Sequence, residues 1–168
     1  MARTMEHGRP GLAVPGIVLG VGLGGFVDGI VLHQLLQWHH LLSATGDHPV
    51  DTVDGLEANT LADGLFHVLA WLATAAGVAL VWRAARRGAT TWSGRVILGW
   101  ALVGWGLFDL VEGVVDHHLL GLHHVREGVP NTGVYDVGFL VLGALLVVAG
   151  LVVSGASRRR SAPPRPGP

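Results

Sequence analysis

The stretch Val134-Tyr135-Asp136-Val137-Gly138-Phe139-Leu140-Val141-Leu142-Gly143-Ala144-Leu145-Leu146-Val147-Val148-Ala149-Gly150-Leu151-Val152-Val153 carries a single charge, on Asp136. A helix needs about 20 apolar residues to cross a bilayer core, and this segment supplies them without interruption. Three other stretches read the same way: Leu12–Trp38, Leu61–Trp82 and Val96–Val115, each rich in Leu, Val, Ala and Gly. So much glycine is unusual in soluble helices but ordinary where membrane helices pack closely. The whole chain agrees. Only 14% of its 168 residues are charged and half are hydrophobic, whereas a soluble domain carries about a quarter charged residues. The predicted fold is an all-α integral membrane protein with four transmembrane helices over residues 12–153, in contact with the lipid bilayer. A net charge of -1 offers no basic field for nucleic acid, and the lack of Cys excludes disulfides, thiol redox pairs and thiolate metal sites.

The basic residues, all Arg, set the expected orientation. Arg3 and Arg9 precede the first span. Arg83, Arg86, Arg87 and Arg95 lie between the second and third, and Arg158, Arg159, Arg160 and Arg165 follow the fourth. The first loop instead carries Asp47, Asp51, Asp54 and Glu57, and the third balances Arg126 with Glu127. The positive-inside rule then predicts a multi-pass protein of the inner (plasma) membrane with both termini cytoplasmic. Residues 1–11 form the N-terminal tail, and residues 154–168 an Arg/Pro-rich tail expected to be disordered. The first span carries Asp28 and lacks a small-residue cleavage site, so it does not read as a signal peptide.

Working outward from the spans, the chain repeats at an offset of 84. Asp28-Gly29-Ile30-Val31-Leu32-His33-Gln34-Leu35-Leu36-Gln37-Trp38-His39-His40 aligns with Glu112-Gly113-Val114-Val115-Asp116-His117-His118-Leu119-Leu120-Gly121-Leu122-His123-His124. Apolar bias could align Leu and Val, but not an acid and three His at the same offsets. Asn59-Thr60 with Asp63, and Asn131-Thr132 with Asp136, open the second and fourth spans alike. The unit is therefore a helical hairpin used twice, about 12–82 and 95–153. The expected arrangement is two parallel repeats in a pseudo-twofold four-helix bundle.

Acids within a span cost about 2.5–3.5 kcal/mol each on insertion scales and normally face other helices. Asp28, Asp63, Asp109, Glu112 and Asp136 are such residues, and apart from His7 every one of the ten His falls toward the same side. At 100° per residue, Asp28 shares a helix face with His39, and Glu112 with His123. Imidazole and carboxylate together are donors suited to zinc, copper(II) and non-haem iron. The deeper His33, His67 and His117 are the first candidate metal ligands, followed by Asp63 and Glu112. Asp28, His39, His40, His123 and His124 complete the set. The bland alternatives stand beside these: the four paired His suit a membrane interface without metal, and Asp28 and Glu112 would serve equally as hydrogen-bonding acids between helices. Adjacent His point in different directions on a helix, so at most one of each pair is expected in one site. Gly20, Gly22, Gly104 and Gly106 read as close helix contacts, not as a dinucleotide loop.

The segment Phe26–His40 resembles the hallmark of a bacterial family of predicted membrane proteins, domain of unknown function 2243, and Glu112–His118 fits the same family. The resemblance runs from about Gly16 to Val153. It implies no settled activity and brings no catalytic residue. Similar proteins are associated with the assembly factor of caa3-type cytochrome oxidase, which implies respiratory metal handling and a respiratory-complex or assembly-factor partner. The leading expectation is a membrane protein holding a transition metal ion in a His/carboxylate cluster, in metal supply to or assembly of such a complex. A proton or cation pathway, and a redox enzyme with haem b or two metals, stay open as alternatives, as does a homo-oligomer. The sequence names no reaction.

Overall fold

A computed structural model describes residues 11–88 and 93–155. Of the expected tails, residues 1–10 and 156–168, with Arg3, His7, Arg9 and the C-terminal Arg cluster, lie outside the described residues, while Ser154 belongs to the last helix. Helix α1 (Ala13–Val27) passes directly into a π-helical segment, π1 (Asp28–Leu35). Helix α2 spans Val53–Arg86. Helix α3 (Gly94–Glu112) passes into π2 (Gly113–Leu119), and α4 spans Thr132–Ser154. No strand occurs among the described residues. Among the described residues four helices, counting each α–π pair as one, are long and apolar enough to cross a membrane.

Helix α2 begins at Val53, well before the expected Leu61, because its start is built from polar residues. The Thr52 hydroxyl accepts from the Gly55 N–H at 3.2 Å, and Asp54 sits in the first turn against the positive end of the helix dipole. Arg83 and Arg86 in the last turn suit the negative end. Helix α4 stops at Gly155, whose φ of 72° is left-handed and free of strain only without a side chain.

The four helices expected from the sequence pack in a row in the order α2–α1–α3–α4. Helix α1 packs on α2 and α3, α3 packs on α4, and α2 and α4 do not approach each other. The inner pair is accordingly the better covered: 44% and 39% of their spans are buried, against 11% for α2 and for α4. Glycine is the physical reason. A Cβ on Gly20 would fall inside the backbone of Ala101, and one on Gly104 inside that of Ile17, so α1 and α3 touch backbone to backbone at the centre. Contacts advance together along these two helices, from Gly16 on Trp100 to Gly24 on Phe108, so they run parallel. Gly22 on Thr74 and Gly77 on Leu19 make α2 antiparallel to α1; Gly106 on Gly143 and Gly99 on Ser154 make α4 antiparallel to α3. Both hairpins thus point the same way. Gly20→Val should force α1 and α3 apart and destabilise by at least about 1–3 kcal/mol. Gly64→Ala, which meets open space in the interior of α2, should not lower stability and should raise it by up to about 1 kcal/mol. Thermal unfolding in detergent would compare them, and equal melting temperatures would contradict the close crossing.

Both inner helices loosen at the same point. The Leu36 N–H donates to Val31 at 2.9 Å and the Leu120 N–H to Val115 at 2.8 Å, each bond reaching back five residues. Trp38 N–H to Leu32 and Leu122 N–H to Asp116, both 2.9 Å, then reach back six. The chain reverses through left-handed residues, Gln37 (φ 48°) and Gly121 (φ 60°). The first span therefore ends at Leu35, not Trp38, and helical faces drawn at 100° per residue do not hold beyond Asp28 and Glu112.

Candidate metal centre

Where the π segments turn away, four imidazoles meet. His33 and His117 come from π1 and π2; His39 and His123 come from the loops that follow, folded back over the helix ends. All four are buried, none more than 4% exposed. The His33 and His39 rings stand 4.4 Å apart edge to face, His39 and His123 stack at 4.4 Å, and His123 meets His117 at 4.8 Å. Asp28 at the start of π1 and Glu112 at the end of α3 close the cluster from below. Asp28 Oδ2 lies 3.2 Å from His33 Nε2, near but not aligned as a hydrogen bond, and Glu112 Oε1 lies 3.8 Å from His123 Nε2.

Three of the four rings are held by the Nδ1 side, and His117 Nδ1 has no hydrogen-bond partner. His39 Nδ1–H donates to the Val125 carbonyl at 2.8 Å and His123 Nδ1–H to the Leu41 carbonyl at 3.2 Å, so each loop fixes the other's imidazole. His33 Nδ1 donates to Asp63 Oδ1 at 2.9 Å, while His117 Nδ1 stands 4.0 Å from Asp136 Oδ1. The Nε2 atoms of all four have no hydrogen-bond partner, nor do Asp28 Oδ2 and both Glu112 carboxylate oxygens. A buried polar atom without a partner costs about 1–3 kcal/mol by mutational measures, so this concentration in one place is expensive for a purely structural core. Three overlapping ligand groups follow: His33, His39 and His123; Glu112, His117 and His123; and Asp28, His33 and Glu112. In each the donor atoms lie within 4.8 Å of one another.

The electrostatics of the loop residues fit metal ligation. Burial lowers the pKa of His39 to about 4, with neighbouring His33 adding to the shift against the pull of Asp28. Burial also lowers that of His123, with His39 and His117 adding to it. Both rings are therefore neutral near pH 7, the form that binds a metal.

The remaining candidates lie elsewhere. His67 faces away: its Nδ1 donates to the Asp63 carbonyl at 2.8 Å and its ring rests against Phe66 and Phe26. His40 and His124 stand behind the cluster, donating to Asp63 Oδ2 and Asp136 Oδ2, each at 2.7 Å. Asp63 also accepts the Leu41 N–H and Asp136 the Val125 N–H, both at 2.9 Å. Asp63 is thus a support for His33 and the loop, with both oxygens engaged. The sequence paired Asp136 with Asp63 but left it out of the candidate site, and it did not mark the two carbonyls. The shared Asn-Thr…Asp pattern at 59–63 and 131–136 held the signal for the acid; nothing in side-chain identity marks the carbonyls. A polar cavity of about 670 Å³, lined by His39, His40, Asp63 and Glu127 among others, opens beside the cluster.

A model of the predicted membrane protein family DUF2243 matches residues 15–157. The chain belongs to this family. In this DUF2243 protein the match takes in nearly all of the four helices and both loops that bear the cluster. No curated protein and no solved structure matches the chain.

Proposed function

We propose that this membrane protein holds a transition metal ion, zinc, copper(II) or iron, among His33, His39, His117 and His123, with Asp28 and Glu112 as carboxylate ligands. The carrying observation is that the four Nε2 atoms lack partners and gather in one buried place while their Nδ1 atoms are mostly anchored. Metal-bound His characteristically gives its second N–H to a carboxylate or a backbone carbonyl, which fixes the ring and raises its basicity. Four imidazoles and two carboxylates also suffice for a pair of ions. Haem b suits the packing less, since rings that stack and meet edge-on at these separations leave no flat slot for a porphyrin. The polar cavity gives a hydrated ion a route to His39 from the loop side. On this reading the protein stores or passes on metal, in supply to or assembly of a respiratory complex, the role that the association of similar proteins suggests. The two hairpins would be copies of one unit related by rotation about the membrane normal.

Elemental analysis of protein purified from its native membrane tests the metal. One or two transition-metal ions per chain are expected, the ratio separating the mononuclear from the dinuclear site; protein with less than a tenth of an ion per chain would end the reading. The Arg-flanked ends are proposed to be cytoplasmic and the histidine-bearing loops external, on the Arg asymmetry. A reporter fused after Arg87 should be cytoplasmic and one at Asp51 external; the reverse signals would invert the topology.

A further inference from the structure

Beside the metal cluster the row of helices leaves an apolar groove of about 340 Å³ between π1 and α4, floored by α3. Val31, Trp38, Trp105, Tyr135, Phe139 and Leu142 line it. Its rim faces the lipid, since Val31 is 36% and Leu142 48% exposed on helices that cross the membrane. Two acids reach it from below. Asp28 and Asp109 are 4% and 1% exposed, both line the groove, and the Oδ2 atom of each lacks a partner. Asp109 has no role in the metal cluster, and the residue 84 positions earlier is Gly25, so it is not explained as part of the repeated pattern. A carboxyl oxygen buried in an apolar groove stays costly until something hydrogen-bonds to it. At the loop end, the Arg126 guanidinium lies 4.9 Å over the Trp38 ring and 5.3 Å over the Tyr135 ring and donates to the Tyr135 hydroxyl at 2.9 Å, which fixes both aromatic walls.

We propose that this groove binds a lipid-soluble phenol or hydroquinone. The aromatic head lies among the aromatic side chains with its hydroxyl donating to Asp109, and the tail leaves past Leu142 into the bilayer. A volume near the lower end of the range of about 300–1,000 Å³ usual for ligand pockets suits a head group and not a whole phospholipid. The proposal stands without the metal. Where the metal site holds, Asp28 places the bound head next to His33.

The test is saturable binding of radiolabelled decylhydroquinone to the full chain in lipid nanodiscs, above partition into empty nanodiscs, with metal content measured on the same samples. About one molecule per chain is expected. Gly138 borders the groove and a Cβ there meets open space, so Gly138→Phe should fill the groove without disturbing the fold and abolish saturable binding. Asp109→Leu should weaken binding about tenfold or more, the effect of losing one hydrogen bond to a carboxylate. Neither change should alter metal content, so failure of the groove and failure of the metal site are read separately. Decanol should displace the probe poorly. Absence of saturable binding, binding unchanged in both variants, or equal displacement by decanol would overturn the proposal.

Discussion

Replacing His39 and His123 together with Ala should strip the protein of its metal while leaving it inserted in the membrane. These two rings stack on each other at the centre of the cluster and appear in its ligand groups with both deep imidazoles. Each also ties its own loop to the other, so the double change removes two ligands and two cross-braces at once. Loss of supporting residues alone weakens metal sites about 10–100-fold, and loss of two direct ligands should exceed that, leaving no ion after desalting. Insertion depends on the apolar spans, which neither residue belongs to. His48→Ala should behave as the unaltered protein, because the hydrogen bonds of His48 are made by its backbone, the carbonyl accepting from Asn59 and the N–H donating to the Thr45 carbonyl. Retention of stoichiometric metal by the double variant would rule out the proposed ligand set.

The second large effect should come from a residue that touches no ion. Asp63 accepts from His33, His40 and the Leu41 N–H. Asp63→Asn keeps the shape but sets an amide N–H₂ against one of these donors. Metal affinity should fall about 10–100-fold, the usual cost of disturbing an imidazole's outer partner. Asp136→Asn should cost less, since Asp136 stands 4.0 Å from His117, against 2.9 Å between Asp63 and His33. Competition with a chelator of known affinity would measure both. Equal losses, or a larger loss at Asp136, would show that the two acids do not support their imidazoles as the distances imply.

The spans and the all-helical fold were legible in the sequence because they rest on composition, and the spacing of like residue types singled out Asp28 and Glu112, which the structure places beside the buried histidines. The row of helices was not. A glycine pattern says that helices approach closely, but not which pairs do, and Gly20 and Gly104 turn out to face the opposite inner helix. The helical wheel misled at one definite place. It assigned His39 to the face of Asp28 by running an α-helix through residues that adopt a π-helix and then a left-handed turn at Gln37. His39 does arrive in the cluster, but by folding back and bonding Val125. His67 failed for the complementary reason: its α-helical spacing from Asp63 was right, and that spacing let it bond the Asp63 backbone carbonyl instead of joining His33. Depth and residue type nominated His33 and His117, and residue type nominated His39 and His123 together with His40 and His124; only the path of the loops separates His39 and His123, inside the cluster, from their neighbours behind it.

The crossed bonds between the loops, His39 to Val125 and His123 to Leu41, also bear on the order of synthesis. The first hairpin leaves the ribosome and enters the membrane with Asp28, His33 and Asp63 already in place but without Glu112, His117 or His123. Until the second hairpin follows, it has neither a complete ligand group nor the carbonyl that orients His39. On the proposed reading, metal capture is a late event of biogenesis, and a ribosome stalled before α3 would expose an acid-bearing half to the lipid and to quality-control proteases. A chain cut between Gly88 and Ser93 should yield two halves that are each empty, and that recover the ion only when made in the same cell.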